Sequence, residues 1–408
     1  MKIVTVAVNG EMHRGGGLST FGEVLEVSSM RPIRCSRRRC LGWLAASAAA
    51  AGGGGNLLGF AAMGEKDQRG GDVPWLAEVQ RAPASVPADA PRLAPLLVDA
   101  RGTPIQSLDA WEKQRQAIRR WWLEFLGPLA AVRQPAPRLE VLEEDRPAGA
   151  IRQLVRYEVE PDVATEAYLL RPALGSGRRP GVAVFHQTIA ESIREPAGLA
   201  GSPSLAFGLR LAQRGCVALC PRNVLWSDNR TLSIPSELKR YQDRHPQSKG
   251  MAKMLFDAIV AVDILAALPD VDPKRIGAVG HSLGAKEVLY LAAFDERVRA
   301  TVSSEGGIGT RFSNWHDPWY LGEAIRRPDF TREHHELLAL VAPRPFLLLG
   351  GDSADGAKSW PFIEAVLPVF ALYGLPARVG LLNHGKGHRV PPEAETRLYE
   401  WLLTYLGP

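Results

Sequence analysis

The chain has 408 residues, 46% hydrophobic and 23% charged, a balance that excludes a disordered or collagen-like polymer. Its formal net charge of +5 gathers at the start. Residues 1–64 carry Lys2, Arg14, Arg31, Arg34, Arg37, Arg38 and Arg39 against Glu11, Glu23 and Glu26, so the rest is near neutral and offers no electrostatic footprint for nucleic acid.

In chain order, Ser36-Arg37-Arg38-Arg39-Cys40-Leu41 precedes an uncharged, Ala- and Gly-rich stretch. A charged region, a mildly apolar run and small residues describe an export signal of twin-arginine type over residues 1–62. Met30 is the expected true start, and the expected destination is the periplasm or the cell exterior. Residues 63–137 read as an irregular and helical lead-in, with a helix over 108–126. Leu108, Trp111, Ile118, Trp122 and Phe125 are its expected buried positions, and Gly127-Pro128 is its stop.

Residues 138–408 read as the catalytic domain. Strands are expected at Arg138–Leu142, Arg152–Val159 and Glu166–Arg171. From Pro180 on, short apolar runs alternate with helical ones. The strands are Val182–Phe185, Cys216–Cys220, Ile276–Val279, Ala300–Ser303, Phe346–Leu349 and Ala377–Leu382. The helices fall near 203–214, 251–267, 283–293, 359–373 and 393–405. This rhythm implies an α/β fold: a mostly parallel sheet with helices on both faces. Connections 222–250 and 306–342 interrupt it, and such insertions build pocket walls. Cys216 and Cys220, roughly 13 Å apart along a strand, are too distant to bridge and read as buried thiols.

Gly280-His281-Ser282-Leu283-Gly284 is a G-x-S-x-G pentapeptide between an expected strand and an expected helix. That context makes Ser282 a nucleophile on a sharp turn, with the Leu283 N–H aimed at a developing oxyanion. A serine needs a base. His388, in Asn383-His384-Gly385-Lys386-Gly387-His388, is the candidate, with His384 a structural neighbour. The acid is Asp352, after strand Phe346–Leu349, or alternatively Glu305, after strand Ala300–Ser303. The second oxyanion donor is expected from His186-Gln187-Thr188, with the Thr188 N–H first and Gln187 next. Lys286, Glu305, Trp315, Trp226 and His186 are the candidate substrate contacts. His384 and His388 sit four apart on a glycine-bearing loop with no third ligand, so no metal is expected, and triad hydrolysis calls for no cofactor.

GHSLGAKEVLYLAAFDERVRATVSSEGG, FHQT followed by EPAGLAG, APRPFLLLGGDSADG and NHGKGH resemble bacterial α/β-hydrolases of the dienelactone-hydrolase and acetylxylan-esterase type, over roughly residues 105–408. The resemblance implies a serine esterase with Ser282, Asp352 and His388 as triad, acting on acetylated carbohydrate or similar small esters. True dienelactone hydrolases carry a cysteine where this chain has Ser282. A second resemblance is to glucuronoyl esterases, through Lys286 four positions after Ser282 and Glu305-Gly306-Gly307-Ile308-Gly309-Thr310-Arg311. It implies that Lys286 contacts sugar hydroxyls and that Glu305 can serve the triad. That family carries arginine next to its serine; this chain has Leu283. A prolyl-oligopeptidase-type peptidase and a catalytically silent binding protein on a hydrolase scaffold are the rival readings.

Overall fold

A computed structural model describes residues 71–128, 136–226 and 231–407. The expected export signal over residues 1–62 lies outside the described residues. Nine strands form one sheet: β1 (Glu140–Asp145), β2 (Ala150–Glu160), β3 (Val163–Pro172), β4 (Arg179–Phe185), β5 (Val217–Pro221), β6 (Val271–His281), β7 (Val298–Ser304), β8 (Phe346–Gly350) and β9 (Val379–Asn383). Their order is β1-β2-β3-β5-β4-β6-β7-β8-β9. The first three pair antiparallel, and β3 pairs antiparallel with β5. From β5 onward every pairing is parallel. This is the expected architecture, and it is the α/β-hydrolase fold.

The parallel strands are buried on both sides because their side chains alternate between two helical layers. On β4, Val182 and Val184 face the core shared with Phe207, Leu398, Trp401 and Leu402. Ala183 and Phe185 face the opposite core with Phe256, Ile264, Val288 and Leu291. Among the described residues the helices are α1 (Leu76–Val79), α2 (Leu108–Leu126), α3 (Phe207–Gln213), α4 (Ile234–Arg244), α5 (Gly250–Ala267), α6 (Leu283–Phe294), α7 (His335–Val341), α8 (Trp360–Ala371) and α9 (Pro392–Leu406). None is long and apolar enough to cross a membrane.

Helix α2 has the expected bounds, and the Ser107 hydroxyl caps it by accepting from the Ala110 N–H at 3.3 Å. Its buried stripe is Trp111, Arg115, Ile118, Trp122 and Leu126. Leu108 is exposed and Phe125 only half-buried, because the helical period passes through Leu126 instead. Trp111 and Trp122 join the same core as Tyr290, Phe346 and Phe362. Cys216 and Cys220 are free and buried, and burial pushes the Cys216 thiol up to about 12.

Candidate active site

The parallel strands bring their carboxyl ends to one edge, the edge where open α/β sheets collect ligand-binding groups. At three neighbouring ends a non-glycine residue adopts a positive φ: Ser282 after β6 (56°), Glu305 after β7 (55°) and Asp352 after β8 (62°). Such strain persists only where the surroundings hold it. At Ser282 they do. A Cβ on Gly280 would lie 2.3 Å from the Gly284 carbonyl carbon, and one on Gly284 would lie 2.2 Å from the Phe185 oxygen. Both glycines are therefore required by close backbone approach. The Ser282 N–H donates to the Ser304 carbonyl at 2.8 Å, fixing the turn against β7. Ser282 remains partly exposed while His281 and Leu283 on either side are buried. Leu283 begins helix α6, so its N–H has no carbonyl in helical register and points out of the helix end.

Glu305 is fully buried. One carboxylate oxygen accepts from the Gly351 N–H; the other accepts from the Ala354 N–H at 2.7 Å and lies 3.3 Å from His388 Nδ1. The Nδ1–H of His388 thus donates to Glu305, which leaves Nε2 free to act as a base. The loop carrying His388 is laid over the turn after β8. His384 N–H donates to the Gly350 carbonyl and Gly387 N–H to the Gly351 carbonyl, both at 2.7 Å. A Cβ on Gly351 would lie 2.1 Å from the Gly387 oxygen.

Asp352, the carboxylate favoured by the sequence, does not meet His388. Its side chain is exposed, and Oδ1 accepts from Asn383 Nδ2 at 2.8 Å and the Ala357 N–H at 3.2 Å. The structure instead places the alternative, Glu305, against the imidazole. The reason is reach: the His388 loop sits over the β8 turn, and a glutamate from β7 extends into it. His384 is not on Glu305 by any hydrogen bond; its Nδ1 accepts from the Lys386 N–H at 3.1 Å.

His281, just before Ser282, packs against His388 with ring centres 4.8 Å apart. Its Nδ1 lies 3.0 Å from Ser304 Oγ, and burial, followed by the charges of His388 and His384, lowers its pKa to about 3. Sequence reasoning gave this residue no role, and nothing in the pentapeptide signals one.

The expected substrate contacts divide. Lys286 stands one turn after Ser282, buried, with Nζ donating to Ser313 Oγ at 3.0 Å and lying 5.2 Å from the ring centres of both Trp315 and Tyr320. Burial depresses its pKa to about 8. Trp315 is wholly buried, donates from Nε1 to the Gly307 carbonyl at 2.6 Å and packs on His334. It supports Lys286 from beneath and faces no open pocket. Trp226 and His186 are buried edge to face, ring centres 4.6 Å apart. His186 Nδ1 donates to the Gln187 carbonyl at 2.8 Å, and Nε2 accepts from the Asn223 N–H at 3.2 Å, so this imidazole is committed to holding the loops after β4 and β5 together. Thr188 is exposed beyond β4. Asp355, which the sequence did not single out, is buried and accepts from the Gly307 and Ile308 N–H groups at 2.7 and 2.8 Å, pinning the segment after Glu305.

Residues 165–317 match the family model of the dienelactone hydrolase family. The chain is 26% identical over 284 residues to the Bacillus subtilis (strain 168) protein YtaP, covering 65% of this chain and 91% of that one. It is 22% identical over 174 residues to a 4-O-methyl-glucuronoyl methylesterase of Neurospora crassa, covering 36% of this chain and 44% of the other. Among solved structures it superposes on a glucuronoyl esterase from Solibacter usitatus with a TM-score of 0.61 at 18% identity, covering 79% of this chain and all of that one. At this identity the structural likeness shows the α/β-hydrolase fold alone.

Proposed function

We propose that the protein is a serine carboxylic-ester hydrolase acting on carbohydrate esters, with Ser282 as nucleophile, His388 as general acid–base and Glu305 as the acid that orients it. The observation carrying this reading is a His388–Glu305 pair beside the strained Ser282 turn, with the His388 ring packed on His281, the residue before that serine. In the forward step Ser282 Oγ attacks the ester carbonyl and its proton passes to His388 Nε2. Glu305 stabilises the imidazolium through Nδ1. The tetrahedral oxyanion is received by the Leu283 N–H and by an N–H from the loop after β4, Thr188 or Gln187. His388 then protonates the departing alcohol, and a water deprotonated by the same nitrogen opens the acyl-enzyme.

Within carbohydrate esters, uronate esters are favoured over acetyl esters. Glu305 as the triad acid and Lys286 one turn after the nucleophile both follow the pattern of the glucuronoyl esterases that the chain resembles. Leu283, where that family has arginine, leaves the oxyanion to backbone donors alone.

The test is Ser282→Ala. The purified variant is expected to keep its melting temperature within a few degrees, to lose labelling by a fluorophosphonate probe, and to lose hydrolysis of methyl glucuronate. Retained labelling at another residue, or retained turnover, would overturn the reading. A silent scaffold predicts that the unaltered protein takes up no probe at all.

A further inference from the structure

We propose that a carboxylate-free cleft beside the nucleophile helix binds the free carboxylate of a sugar next to the ester, making the preferred substrate an acidic carbohydrate chain. The proposal rests on the esterase reading above and extends it from the reacting bond to its neighbour. The cleft, about 210 Å³, is lined by Thr310, Arg311, Ser313, His316, Ile325 and Arg326. It holds two guanidinium groups and an imidazole, and no acid lines it.

The positive charge is only partly balanced from outside. Arg311 is exposed and has no hydrogen bond or ion pair among the described residues. Glu333 feels its charge, but the carboxylate is already occupied by the Thr310 N–H, the Thr310 hydroxyl and the His334 N–H at 2.7–2.9 Å. Arg326 reaches Glu323 only at 3.5 Å. His316 Nε2 stands 3.7 Å from Asp317, whose other oxygen accepts from Asn314 Nδ2. A guanidinium with unused donors is suited to bidentate carboxylate binding.

The cleft adjoins the chemistry through Ser313. That hydroxyl accepts from Lys286, which stands one turn after Ser282, and donates to Asn314 Oδ1 at 3.1 Å. A Cβ on Gly307, two residues after Glu305, would lie 2.8 Å from the Ser313 Cβ. Away from the site, Thr310, Arg311 and Ile325 are shared with a second recess of about 160 Å³ that adds Arg92 and Arg332, together with the engaged Glu333. Each recess is smaller than the ~300–1,000 Å³ of a pocket for a whole ligand, so the track suits successive groups of a chain. A partly esterified polyuronate presents free carboxylates next to its esters, and that is the chemistry the arginines select.

The probe is tri-galacturonate, with neutral xylotriose as its control. Each is titrated calorimetrically into the full chain carrying Ser282→Ala, so that binding is read without turnover. Tri-galacturonate should bind and xylotriose should bind at least tenfold more weakly. Adding Arg311→Gln and Arg326→Gln together should weaken tri-galacturonate at least tenfold. Arg327→Gln, an exposed guanidinium paired with Asp329 and outside the cleft lining, should leave its affinity unchanged. Equal affinity for the two sugars, no loss in the double variant, or equal loss in the Arg327 control would overturn the cleft. If tri-galacturonate binds as expected while the unaltered protein hydrolyses no ester, the cleft stands and the esterase reading falls.

Discussion

The ends of β7 and β8 offer two carboxylates in nearly the same backbone setting, and the protein treats them in opposite ways. Glu305 and Asp352 both sit one or two residues past a strand at positive φ. Glu305 is buried under two backbone N–H donors and an imidazole. Asp352 faces solvent and steadies Asn383. The difference teaches that a place at a strand end does not bring a carboxylate to the imidazole; the path of the histidine loop does. That loop lies directly on the β8 turn, so the acid that meets it comes from one strand further in, on the longer glutamate arm.

The strongest way to break this comparison is Glu305→Gln. The substitution keeps size but replaces an acceptor facing His388 with an amide, leaving no charge to stabilise the imidazolium. We expect kcat/KM on methyl glucuronate to fall about a thousand-fold or more. Glu305→Asp should recover little, because the shortened arm withdraws from His388. A loss below tenfold for Glu305→Gln would remove Glu305 from the triad.

A second contrast is one of burial alone, between the exposed His388 and three histidines inside the protein, His186, His281 and His334. His186 is depressed to about 4, and His281 and His334 to about 3, in each case first by burial. An unfolded histidine titrates near 6.5, so below that pH the unfolded chain binds more protons than the folded one. The stability these residues contribute is therefore present above about pH 6.5 and is lost progressively as pH falls toward the folded values. The melting temperature should drop between pH 7 and pH 5. His334 donates from Nδ1 to the Ile308 carbonyl at 2.8 Å and accepts from the Tyr290 hydroxyl at 2.9 Å. His334→Gln should start lower at pH 7 but lose fewer degrees on acidification. An unchanged slope would exclude His334 as a source of the acid sensitivity.

These contrasts also mark how far the sequence could be read. Strands β4 to β9 and the serine turn were legible because they are local: an apolar run, a glycine two residues either side of Ser282, a helix directly after. Helix α4 was missed inside the 222–250 connection because only Glu237 and Tyr241 of its residues are buried, leaving almost no apolar stripe. Helix α7, with seven residues, is too short for a period to show. Trp315 was read as a substrate wall because an aromatic in an insertion serves packing and recognition alike. Its burial against His334 and Tyr290 depends on how the insertion folds back. Asp352 was favoured over Glu305 as the acid for the same reason. Both Glu305 and Asp352 were visible as strand-end carboxylates, but only the path of the loop from β9 over β8 separates them, and that is a tertiary fact.

The smallest effect completes the comparison. Asp352→Asn retains a side-chain oxygen that can accept from both Asn383 Nδ2 and the Ala357 N–H, the two bonds Oδ1 makes now. What it removes is a charge on an exposed side chain, where solvent screening leaves little influence on the imidazole. We therefore expect kcat/KM to change by less than about threefold, with the melting temperature essentially constant. The measurement is the same methyl glucuronate assay used for Glu305→Gln, run side by side. A loss for Asp352→Asn as large as for Glu305→Gln would mean that His388 turns toward the β8 carboxylate during turnover, and the asymmetry between the two strand ends would belong to the resting enzyme alone.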